Sequence, residues 1–115
     1  FRDPNCIMYV VLNAREEPIG QIRFEVAPDG SAEVNISLVK EQRGRGYGRV
    51  AIQRACADLT RNVSVSRIVA HVKAENLASV RAFDKAGFVE QGKEVIKGCQ
   101  ALRMTLTVTS PELRS

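Results

Sequence analysis

Apolar and polar residues alternate with a period of two along three early segments of the chain, which is the pattern of half-buried β-strands. These segments are residues 6–13, 19–26 and 32–39. In the second segment Ile22 and Phe24 fall on one face of the strand, and polar residues occupy the other face. Turns rich in Asn, Asp, Pro and Gly separate the segments, so we expect a meander of antiparallel strands.

Two later segments repeat apolar residues at the spacing of amphipathic helices. The first runs to about Asn62, and the second is predicted from Asn76, a good N-cap, to Ala86. Gly87 follows and suits the left-handed conformation that often ends a helix. The apolar stripe of the first helix consists of Ile52, Ala55, Cys56, Leu59 and Val63, and that of the second of Leu77, Val80, Ala82, Phe83 and Ala86.

Three further strands complete the predicted pattern, at residues 67–73, 88–91 and 99–108. A connection over residues 92–98 joins the last two. The element order is therefore β-β-β-α-β-α-β-β, and the sequence contains no internal repeat. This order predicts an α/β protein of the α+β type.

The composition bears mainly on the partners that this domain can have. With 115 residues, 44% of them hydrophobic and 26% charged, the chain has the make-up of one globular domain. Its net charge of +4 favours an anionic partner. Aromatic residues make up 5% of the chain and Trp is absent, so bases have few stacking partners and we expect no nucleic acid. The apolar runs are too short to span a membrane, so we expect no membrane partner either.

The cysteines and the single histidine give no sign of a metal site. Cys6, Cys56 and Cys99 are odd in number and widely spaced, which argues against a disulfide framework and against bound zinc. We therefore expect no metal and a reducing, cytoplasmic location. Cys56 is interpreted as a core residue, and His71, in the middle of a predicted strand, as a packed structural residue.

A glycine-rich segment between the third strand and the first helix carries the candidate chemistry. In residues 43–48 three glycines alternate with two arginines and a tyrosine. Glycine lets the backbone approach a ligand closely, and the helix start offers N–H donors and the positive end of the dipole. This combination is typical of a phosphate-binding loop, although a flexible basic loop has the same residues. The nucleotide-binding fingerprints fail, because Arg49 and Val50 replace the Walker Lys and Ser/Thr, and the spacing is G-x-G-x-G.

The segment Arg43-Gly44-Arg45-Gly46-Tyr47-Gly48 resembles the Arg/Gln-x-x-Gly-x-Gly/Ala motif of the GNAT superfamily, the acyl-CoA-dependent N-acyltransferases. Downstream, residues 75–79 are similar to the Asn-x-x-Ser segment of that family, and residues 83–88 to its Gly-Phe helix end. The resemblance covers residues 6–108. The family fold begins with one strand and two helices before the meander, which this sequence lacks. The resemblance therefore implies an N-terminally incomplete GNAT domain with a mixed, mostly antiparallel sheet over residues 1–109, followed by a polar tail at residues 110–115.

The resemblance implies that acetyl-CoA is the co-substrate. Its pantetheine arm is expected along the end of the third strand, at Ser37, Leu38 and Val39, with a bulge that splays this strand from residues 67–73. A backbone N–H near Ser37 or Leu38 is expected to polarise the thioester carbonyl. The pyrophosphate is expected on the glycine-rich loop, which consists of Arg43, Gly44, Arg45, Gly46, Tyr47, Gly48 and Arg49.

The resemblance also implies the groups that move protons. An amine must lose a proton before it attacks, and Glu33 matches the catalytic glutamate of several family branches, although a solvated strand face would also carry such a residue. Where many members place a tyrosine, four residues before the Gly of Gly-Phe, this sequence has Phe83, a cofactor contact that cannot donate a proton. Ser79, one turn earlier, is the candidate donor to the thiolate, and Asn76 is expected to contact the pantetheine.

These expectations predict direct transfer of an acetyl group from acetyl-CoA to a primary amine. A resemblance to GNAT domains attached to nucleotide-sugar enzymes favours an amino sugar or a nucleotide-linked amino sugar as the acceptor. A protein N-terminus or another small amine is the alternative acceptor. The second hypothesis is a non-catalytic acyl-CoA-binding or structural module of a larger protein. The macromolecular partners considered are a second copy of the chain, in a homodimer, and a larger enzyme to which the domain is fused.

Overall fold

The computed structural model describes residues 5–39 and 46–108. The loop residues Arg43, Gly44 and Arg45, the expected domain end at residue 109 and the expected tail at residues 110–115 lie outside the described residues. The predicted element order is confirmed. The elements are β1 (Cys6–Leu12), β2 (Pro18–Val26), β3 (Ser31–Leu38), α1 (Tyr47–Asn62), β4 (Arg67–Lys73), α2 (Leu77–Lys85), β5 (Val89–Ile96) and β6 (Cys99–Thr107).

The strands form one six-stranded sheet in the order β1-β2-β3-β4-β6-β5. Neighbouring strands are antiparallel, except that β3 and β4 are parallel. A parallel pair needs a crossover connection, and α1 supplies it here. The predicted mixed, mostly antiparallel sheet is thus confirmed.

The two parallel strands are paired along only half of their length. Ser31–Val34 pairs with Arg67–Ala70, and the described ladder between β3 and β4 ends there. Along its other edge β3 keeps one continuous register with β2 as far as Leu38. The strands therefore part, as predicted, but the predicted bulge in β3 is wrong: the parting comes from the end of the β3–β4 ladder.

The hydrophobic core lies between one face of the sheet and the two helices. Phe24 and Ile22 of β2 and Ile52 and Leu59 of α1 are at most 1% exposed and belong to one cluster. Burial raises the pKa of the Cys56 thiol in the same helix to about 12, which agrees with its interpretation as a core residue. No helix among the described residues is both long and apolar enough to cross a membrane.

The second helix turns a narrower apolar side to the core than the sequence predicted. Phe83 is the buried residue of α2, whereas Leu77 is 60% exposed. The predicted caps are confirmed, because the Asn76 side chain accepts a hydrogen bond from the Ser79 N–H and Gly87 has a positive φ of 103°.

The opposite face of the sheet carries no helix in the part of the chain that the structure describes, and we call it the open face. Strand register fixes its membership, because residues paired across a ladder share a face. On β1 the open-face residues Met8 and Val10 are 54% and 62% exposed. Its members include Met8, Val10, Gln21, Arg23, Glu25, Glu33, Asn35, Val69, His71 and Arg103.

The last hairpin is longer than predicted. Residues 92–98 were expected to be a connection, but β5 continues to Ile96, and the turn is Lys97-Gly98. Both turn residues have positive φ, 51° and 78°, as in the tight two-residue turns that match the twist of a hairpin. A register shift between Glu90 and Gly92 interrupts the alternation, which explains why the sequence pattern missed the strand.

Candidate functional site

A cavity of about 530 Å³ opens beside the segment of β3 that has parted from β4, between that segment and the starts of both helices. The lining comes from three pieces of the chain: Ile36 to Leu38 of β3, the first residues of α1, and the exposed side of α2. Several residues predicted from the sequence meet here although they are distant along the chain. They are Ser37, Leu38, Gly46, Gly48, Arg49, Asn76 and Ser79.

Both helices begin at this cavity. Gly46 precedes α1 with a φ of 82° and gives it no side-chain cap, whereas the Asn76 Oδ1 accepts from the Ser79 N–H at 3.2 Å at the start of α2. Neither helix has an acidic residue in its first turn. The first N–H groups of a helix lack partners within it, so the start of α1 offers donors and a positive dipole end to this space. The start of α2 adds a second dipole end, while its Leu77 and Ser79 N–H groups already donate to the Glu75 carbonyl and to the Asn76 side chain.

The cavity is also basic. Arg49 of α1 and Arg81 and Lys85 of α2 line it, and none of the described lining residues is acidic. Sequence analysis missed Arg81 and Lys85, although their spacing of four residues places them on one face of a helix. The signal was present, but it did not show that this face is the one turned to the glycine-rich segment.

Close packing at Gly48 sets the shape of the cavity at its inner end. A Cβ built at Gly48 would lie 3.4 Å from the Cβ of Ala82 and 3.7 Å from the Cδ1 of Leu38. The start of α1, the middle of α2 and the end of β3 therefore meet at this glycine, and a longer side chain there would enter the cavity or push the elements apart.

Three of the residues predicted for the cofactor lie elsewhere. Phe83 is 2% exposed and packs edge-on against Phe88, with ring centroids 5.0 Å apart, because it supplies the only buried side chain of the short helix α2. Tyr47 lines a second cavity of about 680 Å³ between β1 and α1. Val39 is 43% exposed, just beyond the end of β3.

The direction of the backbone groups along β3 narrows the expectation of a donor N–H near Ser37 or Leu38. The Val39 N–H donates to the carbonyl of Ile19, on the side of β2. Because N–H groups alternate in direction along a strand, the Ser37 N–H also points towards β2, and those of Ile36 and Leu38 point towards the gap. A donor for a thioester carbonyl in the gap therefore cannot be the N–H of Ser37.

Glu33, the predicted base, lies on the open face and does not line the cavity. Its Oε2 is 3.8 Å from the Nδ1 of His71, and the Nε2 of His71 is 3.8 Å from the Oε1 of Glu94. Arg103 Nη1 approaches the same Glu94 oxygen at 3.5 Å. His71 is therefore a half-buried side chain among charged neighbours, rather than only the packed structural residue expected from the sequence. Among the described residues, no group of three or more His, Cys, Asp or Glu is arranged to hold a metal ion.

The chain is similar in sequence and in structure to known acetyltransferases. Residues 2–89 match the family model of the acetyltransferase (GNAT) domain. A spermidine N(1)-acetyltransferase of Vibrio cholerae serotype O1 is 36% identical over 62 residues, which are 54% of this chain. The match spans 36% of the length of that curated relative.

Solved structures extend the similarity to nearly all of the chain. A chimera of spermidine N-acetyltransferase SpeG from Vibrio cholerae and hSSAT matches with a TM-score of 0.80 and 30% identity, over 91% of this chain and 71% of the other. A dodecameric spermidine N-acetyltransferase from Vibrio cholerae matches with a TM-score of 0.79 and 30% identity, over 91% and 66%. The aminoglycoside acetyltransferase AAC(6')-Ib in complex with coenzyme A matches with a TM-score of 0.77 and 25% identity, over 90% and 66%.

Proposed function

The chain belongs to the acetyltransferase (GNAT) family, and we propose that it transfers an acetyl group from acetyl-CoA to a primary amine. The observation that carries this proposal is the basic cavity at the point where β3 and β4 part, onto which two helix starts open. A parted parallel pair offers backbone donors to an extended chain, and the helix starts offer donors to phosphates. Both features suit one elongated, anionic co-substrate.

The residues present fit coenzyme A in charge and shape. We assign the phosphates to Arg49, Arg81 and Lys85 together with the N–H groups at the starts of α1 and α2. The predicted loop residues Arg43, Gly44 and Arg45 remain part of this proposal. We assign the pantetheine arm to the gap beside Ile36, whose N–H points that way, and polarisation of the thioester carbonyl to the same stretch of backbone.

Acetyl-CoA supplies an activated acetyl group as a thioester, and this chain manages the protons around its transfer. We propose that the Glu33 carboxylate takes a proton from the ammonium form of the acceptor, so that the nitrogen lone pair becomes available. The new bond joins that nitrogen to the acetyl carbon as the carbon–sulfur bond breaks, and the sulfur keeps the electron pair. Ser79, which lines the cavity, is the proposed hydrogen-bond donor to the sulfur.

For the acceptor we propose a small amine that carries more than one amino group. The support is the similarity to spermidine N-acetyltransferases, at 30% to 36% identity. The fold-level match to an aminoglycoside acetyltransferase agrees with an amine-bearing acceptor. The amino sugar and nucleotide-linked amino sugar favoured by the sequence analysis, and a protein N-terminus, become competing substrates in the same assay.

The second candidate function is a non-catalytic acyl-CoA-binding module. One observation favours it: at the position where the family resemblance leads us to expect a tyrosine, the chain has Phe83, buried in the core. A chain without any donor to the thiolate would bind acetyl-CoA but transfer its acetyl group about 10²–10⁴-fold more slowly. A module of this kind would bind acetyl-CoA in the same cavity as the proposed enzyme, but it would not require Glu33 as a base.

The test begins with binding. We expect acetyl-CoA at one hundred times its Kd to stabilise the chain by about 2.7 kcal/mol, seen as a rise in Tm, with no rise for spermidine alone at equal concentration. Acetylation is then followed with spermidine, an amino sugar and a peptide N-terminus as acceptors. Binding without turnover of any acceptor supports the second candidate, and no binding overturns both.

A matched pair of helix variants links the binding to the cavity. We expect Gly48→Val to abolish the acetyl-CoA-dependent rise in Tm, because the added methyl groups enter the junction with Ala82 and Leu38. Gln53→Val places the same β-branched residue at an exposed position of the same helix and should keep the full rise. If both variants behave alike, the ligand binds elsewhere.

A further inference from the structure

We propose that His71 is a positioning residue that holds the Glu33 carboxylate towards the gap between β3 and β4. The inference rests on the proposed function, in which Glu33 is the base. It concerns a residue that the sequence analysis interpreted as structural and to which the family motifs assign no role. The evidence is the position of the Glu33 carboxylate, the place of His71 in β4, and the contacts of His71 with Glu94 and of Glu94 with Arg103.

The register shows the direction in which the Glu33 side chain leans. Glu33 pairs with Val69 across the parallel ladder, so an upright side chain would stand beside Val69. Its carboxylate instead lies 3.8 Å from His71, two residues further along β4. Because β3 and β4 run in the same direction, this displacement carries the carboxylate towards the end where the strands part.

His71 itself lies at the mouth of that gap. Val34 and Ala70 are the last pair of the described β3–β4 ladder, and His71 is the next residue of β4. It alternates onto the open face with Glu33, so its ring can contact the carboxylate without crossing the sheet. An amine that approaches the gap from the open face would thus meet Glu33 and His71 together.

The two ring nitrogens of His71 face different partners. Nδ1 faces Glu33, and Nε2 faces Glu94 at 3.8 Å, while Arg103 holds Glu94 from the other side at 3.5 Å. Both contacts are longer than a hydrogen bond; an imidazolium attracts both carboxylates, whereas a neutral ring has one donor nitrogen, which serves Glu33 when Nδ1 carries the proton. On β4 itself the nearest charged residues of the same face are Arg67 and Lys73, which add positive charge to this face.

The arrangement explains why an exposed carboxylate keeps one orientation. The Glu33 side chain is 52% exposed, whereas that of His71 is 27% exposed and also lies 3.8 Å from Glu94. A base that is misplaced by about 1 Å can lose up to about a hundredfold in rate. His71 is therefore expected to act on kcat through Glu33 and to leave acetyl-CoA binding alone.

Two isosteres of histidine separate the nitrogens. The amide nitrogen of Asn occupies the place of Nδ1, and that of Gln the place of Nε2. We expect His71→Asn to keep kcat within about threefold of the unsubstituted chain, and His71→Gln and His71→Leu to lower it about tenfold. The KM for acetyl-CoA should stay within about twofold in all three. Equal losses in all three variants, or a loss that appears only in KM for acetyl-CoA, would overturn the proposal.

A spectroscopic measurement tests the contact without activity. His71 is the only histidine, so its ring nitrogens give the only imidazole ¹⁵N signals of the chain. We expect Glu33→Gln to shift the Nδ1 signal more than the Nε2 signal, and Glu94→Gln to do the reverse. Glu90→Gln, which changes an exposed carboxylate of the edge strand β5, should shift neither. A chain that acetylates no amine refutes the proposed function, whereas unchanged ring signals in Glu33→Gln refute the role of His71.

Discussion

The two faces of the sheet differ in how their side chains are held. On the helix-covered face Ile22, Phe24 and Ile68 are at most 1% exposed and interlock with α1. On the open face β2 carries the polar and charged residues Gln21, Arg23 and Glu25, and the pair Arg23 and Glu25 is about half exposed. The same strands thus serve two purposes, because successive side chains point in opposite directions.

This difference separates stability from chemistry. Apolar burial stabilises a fold in proportion to the area removed from water, and nearly all of that area lies on the helix-covered face. Exposed charges contribute little to stability but are available to a substrate. The cavity lies between the buried and the exposed parts of the sheet, beside the segment of β3 that is no longer paired with β4. Substitutions on the two faces should therefore change different measured quantities.

The largest effect on stability is expected at Phe24. Its ring is fully buried, in edge-on contact with Tyr9 at a centroid distance of 5.9 Å. We expect Phe24→Ala to lower the free energy of unfolding by about 3–5 kcal/mol, measured by urea denaturation. If that variant does not fold, Phe24→Leu should still lower the midpoint. Val10→Ala, on the open face of the neighbouring strand, is the control and should change the free energy by less than about 1 kcal/mol.

The next effect is expected on rate alone. Glu33→Gln should lower kcat about a hundredfold, because an amide cannot take the proton of the acceptor, and should leave Tm almost unchanged. Glu90→Gln is the control, since it removes an exposed carboxylate from the edge strand β5, away from Glu33, and its kcat should be that of the unsubstituted chain. A drop in Tm without a drop in kcat for Glu33→Gln would make Glu33 a structural residue.

Much of this division could be predicted from the sequence. Alternation placed Val34 and Glu33 on opposite faces of β3, and the cap at Asn76 followed from its side chain alone. These features depend on a few neighbouring residues, so local patterns suffice. The element order followed for the same reason, whereas the mixed sheet was expected from the family resemblance.

Other features depend on which strands become neighbours, and the sequence does not state this. The approach of Glu94 and Arg103 to His71 requires β6 to lie between β4 and β5. The sequence does not show this order, so His71 was interpreted as a packed structural residue. The burial of Phe83 depends on Phe88, which reaches it only after the chain turns at Gly87. Such contacts join residues that are distant along the chain, so they leave no periodic pattern in the sequence from which they could be predicted.

A smaller effect is expected where the helix-covered face reaches solvent. The Tyr9 hydroxyl donates a hydrogen bond of 2.7 Å to Asp58 of α1 and ties the edge strand β1 to that helix. We expect Tyr9→Phe to lower the free energy of unfolding at neutral pH by about 1–2 kcal/mol. A double-mutant cycle with Asp58→Asn should show a coupling of similar size, and additive losses would mean that the hydrogen bond contributes nothing.

The same hydrogen bond predicts a dependence on alkaline pH. Burial, followed by the hydrogen bond and the charge of Asp58, raises the pKa of Tyr9 to about 12. The phenol of an unfolded chain titrates near pH 10, so the contribution of Tyr9 is complete below about pH 10 and is lost as the pH rises through its folded value. The stability difference between the unsubstituted chain and Tyr9→Phe should therefore shrink over that interval. A difference that stays constant would contradict the raised pKa.

The smallest effect is expected at Arg23, and it is the strictest test of the comparison. Arg23 and Glu25 form an ion pair of 3.1 Å, shorter than any contact of His71 with its charged neighbours, so distance alone would rank it as more important. Both partners are exposed, however, and water screens such pairs to about 0–1 kcal/mol. We expect Arg23→Gln to change the free energy of unfolding by less than about 0.5 kcal/mol and kcat not at all. A larger loss in either quantity would mean that an open-face charge contributes even when it lies away from the gap between β3 and β4.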